Sequence, residues 1–198
     1  MAKIRNSIIE SANELFARFG YNKTTLTDIA QSVGKVKTAI YYYFKSKEEI
    51  FAHIVKMEAE RFFKSLVKAV NKQSDPLEKL ETYIESRISL MLAISNRYQF
   101  LKQEWFELMP LVEKNRETVL LQEIKFIEGI MLEGKENGTI HINSPAFSAV
   151  MLVNALKGLE IQMYVTGTLS VEELNLKDIQ HFLLYGVIGQ PINQQLKT

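Results

Sequence analysis

Apolar residues return at three- and four-residue steps along almost the whole chain, and that period selects the α-helix over the strand. Ile4, Ile8, Ala12, Leu15, Phe16 and Phe19 make one such stripe, and Gly20 follows where a residue tolerant of a left-handed turn ends a helix. Leu26, Ile29, Ala30 and Val33 give a second, brief face, with Thr27 as its expected N-cap and an end near Gly34. A third helix is expected over residues 36–44. Ser46 and Glu49 then form a capping box that starts a long helix to about Asn71. Farther on, Ser74 or Asp75 caps a helix with Pro76 in its first turn, and Leu77, Leu80, Ile84, Ile88 and Leu92 form its buried stripe. Pieces over 100–108 and from Pro110 to about Asn137 follow, then an apolar helix over 146–165 and a last one over 176–188. No segment alternates as a half-buried strand does, so the expected fold is all-α with about nine helices.

The chemistry is concentrated near the N-terminus. The net charge is only +1. Residues 1–50, however, hold eight Lys or Arg against five acids, and residues 35–47 hold four lysines and no acid. A surface built from that segment is locally positive and suited to phosphate, although a solvated helix face is the commoner reason for a short charge run. At 100° per residue, Val36, Ile40 and Phe44 fall on one side of the third helix, with Tyr43 at its edge. Lys37, Thr38, Tyr41, Tyr42 and Lys45 fall on the other. Two tyrosines beside lysines on a solvent face call for a partner. A short helix, a tight turn and a second helix presenting polar, basic and aromatic groups form a helix-turn-helix, whose second helix enters the DNA major groove.

Residues 24–51, TTLTDIAQSVGKVKTAIYYYFKSKEEIF, resemble the DNA-binding motif of the tetracycline-repressor (TetR) family of bacterial transcriptional regulators. A threonine-rich entry, an "IA" helix, a glycine turn, a "YYYF" helix and "KSKEE" follow in that order, and the match covers roughly residues 4 to 52. The resemblance implies a three-helix DNA-binding domain over residues 1–46 and a helical ligand-binding and dimerisation domain over residues 47–198. It also implies phosphate contacts from Thr25, Tyr42, Tyr43 and Lys47, and base-edge or groove contacts from Thr27, Lys37, Thr38 and Tyr41. Lys35 and Val36 replace the usual apolar-then-serine pair, and Thr38 stands where glycine is frequent. Val36 has no side-chain oxygen with which to cap a helix.

The later helices carry more apolar surface than one monomer's core readily uses, with Gly158 allowing close helix approach. The resemblance implies a homodimer through the two C-terminal helices, which spaces the paired recognition helices for successive major-groove faces of double-stranded operator DNA. Met91, Tyr98, Phe100, Trp105, Phe106, Met109, Phe126, Met131, Met163 and Tyr164 are adaptable side chains of the kind that line apolar cavities, although such residues are more often plain core. Met91, Trp105 and Phe126 are candidates for contact with a small effector, with Asn154 and Gln162 as polar handles.

Other functions have little support. The chain has no cysteine, so thiolate metal sites and cysteine nucleophiles are excluded, and no metal site or cofactor is expected. His53, His141 and His181 are scattered, and neither H-E-x-x-H, G-x-S-x-G nor a phosphate-cradling glycine loop occurs, so an enzyme is not expected. Glu81 and Glu85, four apart on a helix, read as a solvated face. With no apolar run long enough for a signal peptide or a membrane span, a cytoplasmic protein is expected. The expected function is that of a DNA-binding regulator, a repressor released by an apolar or amphipathic effector. The alternative is a constitutive helical architectural factor that binds DNA without small-molecule control.

Overall fold

A computed structural model describes residues 2–162 and 175–188. Among these residues the chain is helical throughout: α1 (Ala2–Phe19), α2 (Leu26–Ser32), α3 (Lys37–Tyr41), α4 (Lys47–Val70), α5 (Pro76–Arg97), a 3-10 segment (Gln99–Glu104), α6 (Trp105–Glu136), α7 (Pro145–Ile161) and α8 (Leu176–Ile188). The chain divides into two compact units. One comprises residues 1–62 and 92–119, the other residues 63–91 and 120–198.

The core of the first unit is built from the expected stripes. Ile8, Ala12 and Phe16 of α1 meet Ile29 and Ala30 of α2, Ile40, Phe44, and Ile50, Phe51 and Ile54 of α4. Phe16, Tyr21 and Phe51 pack with ring centroids 5.0–5.7 Å apart, in tilted and edge-on geometries that suit the aromatic quadrupole. A polar chain crosses this unit. The Tyr98 hydroxyl donates to Asn13 Oδ1 at 2.7 Å, and Asn13 Nδ2 donates to Glu58 Oε1 at 3.2 Å. Burial first, and then the Glu58 charge, push the Tyr98 hydroxyl up to about 12.

Caps explain most of the helix boundaries. Gly20 adopts φ +88 after α1, and Gly34 adopts φ +65 after α2, conformations that a Cβ disfavours. The N-cap of α2 is Thr25 and not Thr27. Asp28 stands three residues after Thr25, so the two residues cap one another reciprocally, whereas Thr27 already lies inside the helix. Before α4, the N–H of Glu49 donates to Ser46 Oγ at 3.2 Å, but the Glu49 carboxylate reaches past Ser46 to the N–H of Lys45 at 2.7 Å. Asp75 caps α5, accepting from Leu77 and Glu78, with Pro76 as the first helical residue.

Two further expectations fail. Pro110 does not separate two helices, because α6 runs through it. Pro110 lies little more than one turn into α6, so it removes a single bond, the one to the carbonyl of Phe106, a residue that is exposed. The third helix is five residues rather than nine, with Val36 outside it as the N-cap. The apolar helix expected over 146–165 is described only to residue 162, so Met163 and Tyr164 lie outside the described residues.

In the second unit, Leu66, Val70, Leu80, Tyr83, Ile84, Ile127, Met131, Leu152 and Leu156 are all fully buried. Among them sits a charged group. Arg87 Nε donates to Glu123 Oε1 at 2.7 Å, Arg87 Nη1 to Met91 Sδ at 3.0 Å, and the Tyr83 hydroxyl to Glu123 Oε1 at 2.6 Å; Arg87 Nη2 lies 3.8 Å from Glu160 Oε2. The network ties α5, α6 and α7 together. Burial, reinforced by the Glu123 charge, holds the Tyr83 hydroxyl well above its ordinary pKa. No helix among the described residues is long and apolar enough to cross a membrane.

Candidate nucleic-acid interface

The turn between α2 and α3 is held by backbone bonds. Gly34 N donates to Gln31 O at 3.0 Å, Lys35 N to Ala30 O at 2.8 Å and Ala39 N to Val36 O at 2.9 Å. The first two fold the chain back onto the end of α2, and α3 is then seated by Ile40 and Phe44, 0% and 1% exposed. Arg5 supports the far end of this segment. Its guanidinium lies 4.8 Å from the Phe44 ring centroid and donates to His53 Nε2 at 2.6 Å. Arg5 belongs to α1 and packs against the fold.

The opposite side of α3 faces solvent. Lys37 and Thr38 are exposed, as are Tyr41 at 50% and Tyr42 at 71%. Tyr43 is half-buried against the first unit's core, its ring edge-on to Tyr42 at 5.3 Å. The three tyrosines therefore divide between surface and core. Thr25 and Thr27 are exposed at the start of α2. The Thr25 hydroxyl donates to Asp28 Oδ2 at 2.7 Å and accepts from the Asp28 N–H, so its one donor is turned inward. These bonds hold the Asp28 carboxyl below its usual pKa.

Lys47 is half-buried. Its ammonium donates to the carbonyls of Tyr21 at 2.8 Å and Thr24 at 3.0 Å, and lies 4.1 Å from the Tyr21 ring centroid. It therefore ties the start of α4 to the loop before α2, using two of its three donors. Sequence spacing carries no sign of this role, since Tyr21 and Lys47 are 26 residues apart.

Val36 departs most from expectation. Projected as part of a helix it belongs with Ile40 and Phe44 in the core, yet it is 68% exposed. As the N-cap it has extended dihedrals, φ −90 and ψ 153, so the 100° step does not apply to it. No side-chain hydrogen bond caps α3 at this position, as a valine requires.

The candidate effector residues are dispersed. Trp105 belongs to the first unit and is 9% exposed. Met91 of the second unit is buried beside Arg87, and Phe126 of the same unit packs edge-on to Phe63 at 6.0 Å. Asn154 and Gln162 are exposed, and the Asn154 amide donates to Val150 O of its own helix at 2.8 Å. Of the other adaptable residues, Tyr98 and Met131 are buried, Met109 is half-buried, and Phe100 and Phe106 are exposed. Among the described residues no cluster of three or more His, Asp or Glu could hold a metal ion.

Comparison with known proteins agrees with this geometry. The sequence pattern of "Bacterial regulatory proteins, tetR family" matches residues 8–54. The chain is 29% identical over 138 residues to the fatty acid metabolism regulator protein of Bacillus subtilis, spanning 67% of this chain and 69% of that protein. It is 28% identical over 167 residues to the transcriptional regulator QacR of Staphylococcus aureus, spanning 79% and 84%. The solved structure of the fatty acid degradation regulator FadR from Bacillus halodurans shares the fold, with a TM-score of 0.71 over 92% of this chain and 95% of that one, at 21% identity. Residues 8–54 carry the helix-turn-helix segment of the tetR family of bacterial regulatory proteins, and the chain, similar over most of its length to regulators of transcription, is a DNA-binding transcriptional regulator rather than an enzyme.

Proposed function

We propose that this regulator is a homodimeric repressor with a DNA-binding domain over residues 1–46 and a ligand-binding and dimerisation domain over residues 47–198. Each copy inserts α3 into a major groove of a palindromic operator, and a small apolar or amphipathic effector releases the DNA. The observation that carries the reading is the two-sidedness of α3: Ile40 is fully buried while Lys37, Thr38, Tyr41 and Tyr42 are exposed on a segment without an acid. Lys37, Tyr41 and Thr38 then face base edges, with Thr27 beside them, while Tyr42, Tyr43, Thr25 and Lys47 contact or position the phosphate backbone.

Dimerisation through α7 and α8 is supported by their surfaces. The two helices pack on each other. Phe147, Val150 and Met151 of α7 and Phe182 and Tyr185 of α8 are nonetheless exposed by 39–76%. Apart from its chain neighbours and the adjoining backbone of its own helix, no described atom lies within 4 Å of where a Gly158 Cβ would stand, so the close approach that glycine allows is not taken up within the described part of this chain. Two relatives are named for fatty acid metabolism, which favours an effector with a hydrocarbon chain.

Fluorescence anisotropy of the full chain with duplex from its own promoter region, at two salt concentrations, tests the reading. Tight binding that weakens steeply with salt, is lost in Lys37→Ala/Tyr42→Ala, and falls on adding a long-chain fatty acid or its coenzyme A ester is the expected result. Binding insensitive to both salt and substitution would sink the interface. Tight, salt-dependent binding that no such compound alters would favour the constitutive architectural factor.

A further inference from the structure

The Val36 side chain contributes little burial to the fold and no hydrogen bond to its helix. It is 68% exposed, in the position where a serine or threonine hydroxyl would cap α3. Its backbone is nevertheless fixed on both sides, by the Lys35 N–H on Ala30 O at 2.8 Å and by its own carbonyl, which accepts from Ala39 N at 2.9 Å. The side chain is β-branched and stiff at χ1, so docking it against a surface costs little rotamer freedom. It stands at the entry of α3, next in the chain to the exposed Lys37 and Thr38.

We propose that Val36 is a specificity-determining residue that reads the 5-methyl group of a thymine in each operator half-site. The inference rests on the reading that α3 enters the major groove. There the four bases present donors and acceptors together with one apolar group, the thymine methyl. Lys37, Thr38 and the tyrosines offer hydrogen bonds. Val36 offers only two methyl groups, and on that groove edge their one apolar counterpart is thymine's. A serine in its place would cap the helix but lose this contact, so the valine exchanges local helix stability for base discrimination.

The test uses the full-length protein. Half-sites are selected from randomised duplexes, and each thymine of the selected site is then replaced singly, in both half-sites, by deoxyuridine. This removes the methyl and keeps the base pair. At one symmetric pair of thymines the replacement should weaken wild-type binding by about 3- to 10-fold, the scale of burying a methyl group. In Val36→Ser the same replacement should change affinity by less than about twofold, the methyl contact being absent already. Wild-type binding indifferent to every replacement would overturn the proposal, as would an equal loss in Val36→Ser. Selection that enriches no sequence would overturn the DNA reading itself, and this proposal with it. Thermal melting of Val36→Ser distinguishes lost discrimination from lost folding.

Discussion

One oxygen of the Glu104 carboxylate accepts the backbone N–H of Tyr21 at 2.7 Å, and the other accepts that of Asn22 at 2.9 Å. The residues are more than eighty positions apart in the chain, and the bonds fix the turn that leaves α1. Gly20 makes room for them. A Cβ there would stand 3.3 Å from both carboxylate oxygens, on a backbone already at φ +88. Glu104→Ala should destabilise the protein by about 1–3 kcal/mol, the cost of two orphaned amides, and Glu104→Gln by less, because one carbonyl acceptor survives. Urea denaturation midpoints check this. A Glu104→Ala midpoint equal to wild type would show that water replaces the carboxylate at no cost.

Lys47 and Lys37 should separate by readout. Lys37→Ala, on the exposed face, is expected to weaken DNA binding and lower the salt slope by about 1, with the melting temperature unchanged. Lys47→Ala removes the donor to two loop carbonyls and should also lower stability by about 1–3 kcal/mol. Parallel melts and salt titrations decide. Equal melting temperatures for the two variants would mean that Lys47 does not hold the loop.

The buried network of the second unit predicts strong non-additivity. Glu123→Ala removes the nearer counter-charge of the buried Arg87 guanidinium and the acceptor of the Tyr83 hydroxyl, and should cost about 3–5 kcal/mol. Arg87→Met/Glu123→Leu removes both charges together and should cost less than the sum of the single changes. A double-mutant cycle by chemical denaturation measures the difference, and additive losses would contradict the coupling.

His53 gives the fold a pH dependence. Burial first, and then the Arg5 charge, hold its pKa below the ordinary 6.5; Lys56 acts in the same direction and Glu49 against it. The folded protein therefore binds the proton less readily than the unfolded chain. Stability is fully present above about pH 6.5 and falls as the pH drops from there towards the lower, folded value. Protonation would also remove the acceptor for Arg5 and set two cations together. Between pH 8 and pH 5.5 the wild type should lose more stability than His53→Gln in urea titrations. Identical losses would show that His53 does not contribute.

Val36→Ser should raise the thermal stability of the free protein, by about 0.5–2 kcal/mol, because its hydroxyl supplies the cap that α3 lacks. Differential scanning calorimetry checks the sign. A destabilised Val36→Ser would mean that valine has a packing role its exposure does not reveal.

Local pattern determined a great deal here. The period of Ile4, Ile8, Ala12 and Phe16 specified α1 and its buried side, and Gly20, Gly34 and Asp75 marked helix ends through effects confined to a few neighbouring residues. The order of threonine entry, glycine turn and tyrosine-rich helix made the DNA-binding motif legible for the same reason. Where the residues involved lie far apart in the chain, pattern was silent. Lys47 reaching the Tyr21 carbonyl, Glu104 holding the Tyr21 amide and Arg87 paired with Glu123 each depend on which helices pack together, and no local propensity records that. Val36 fell between the two. Its place beside α3 was plain, but its exposure depended on whether the helix began at residue 36 or 37, and the backbone bonds of the packed turn, not the hydrophobic period, made that choice.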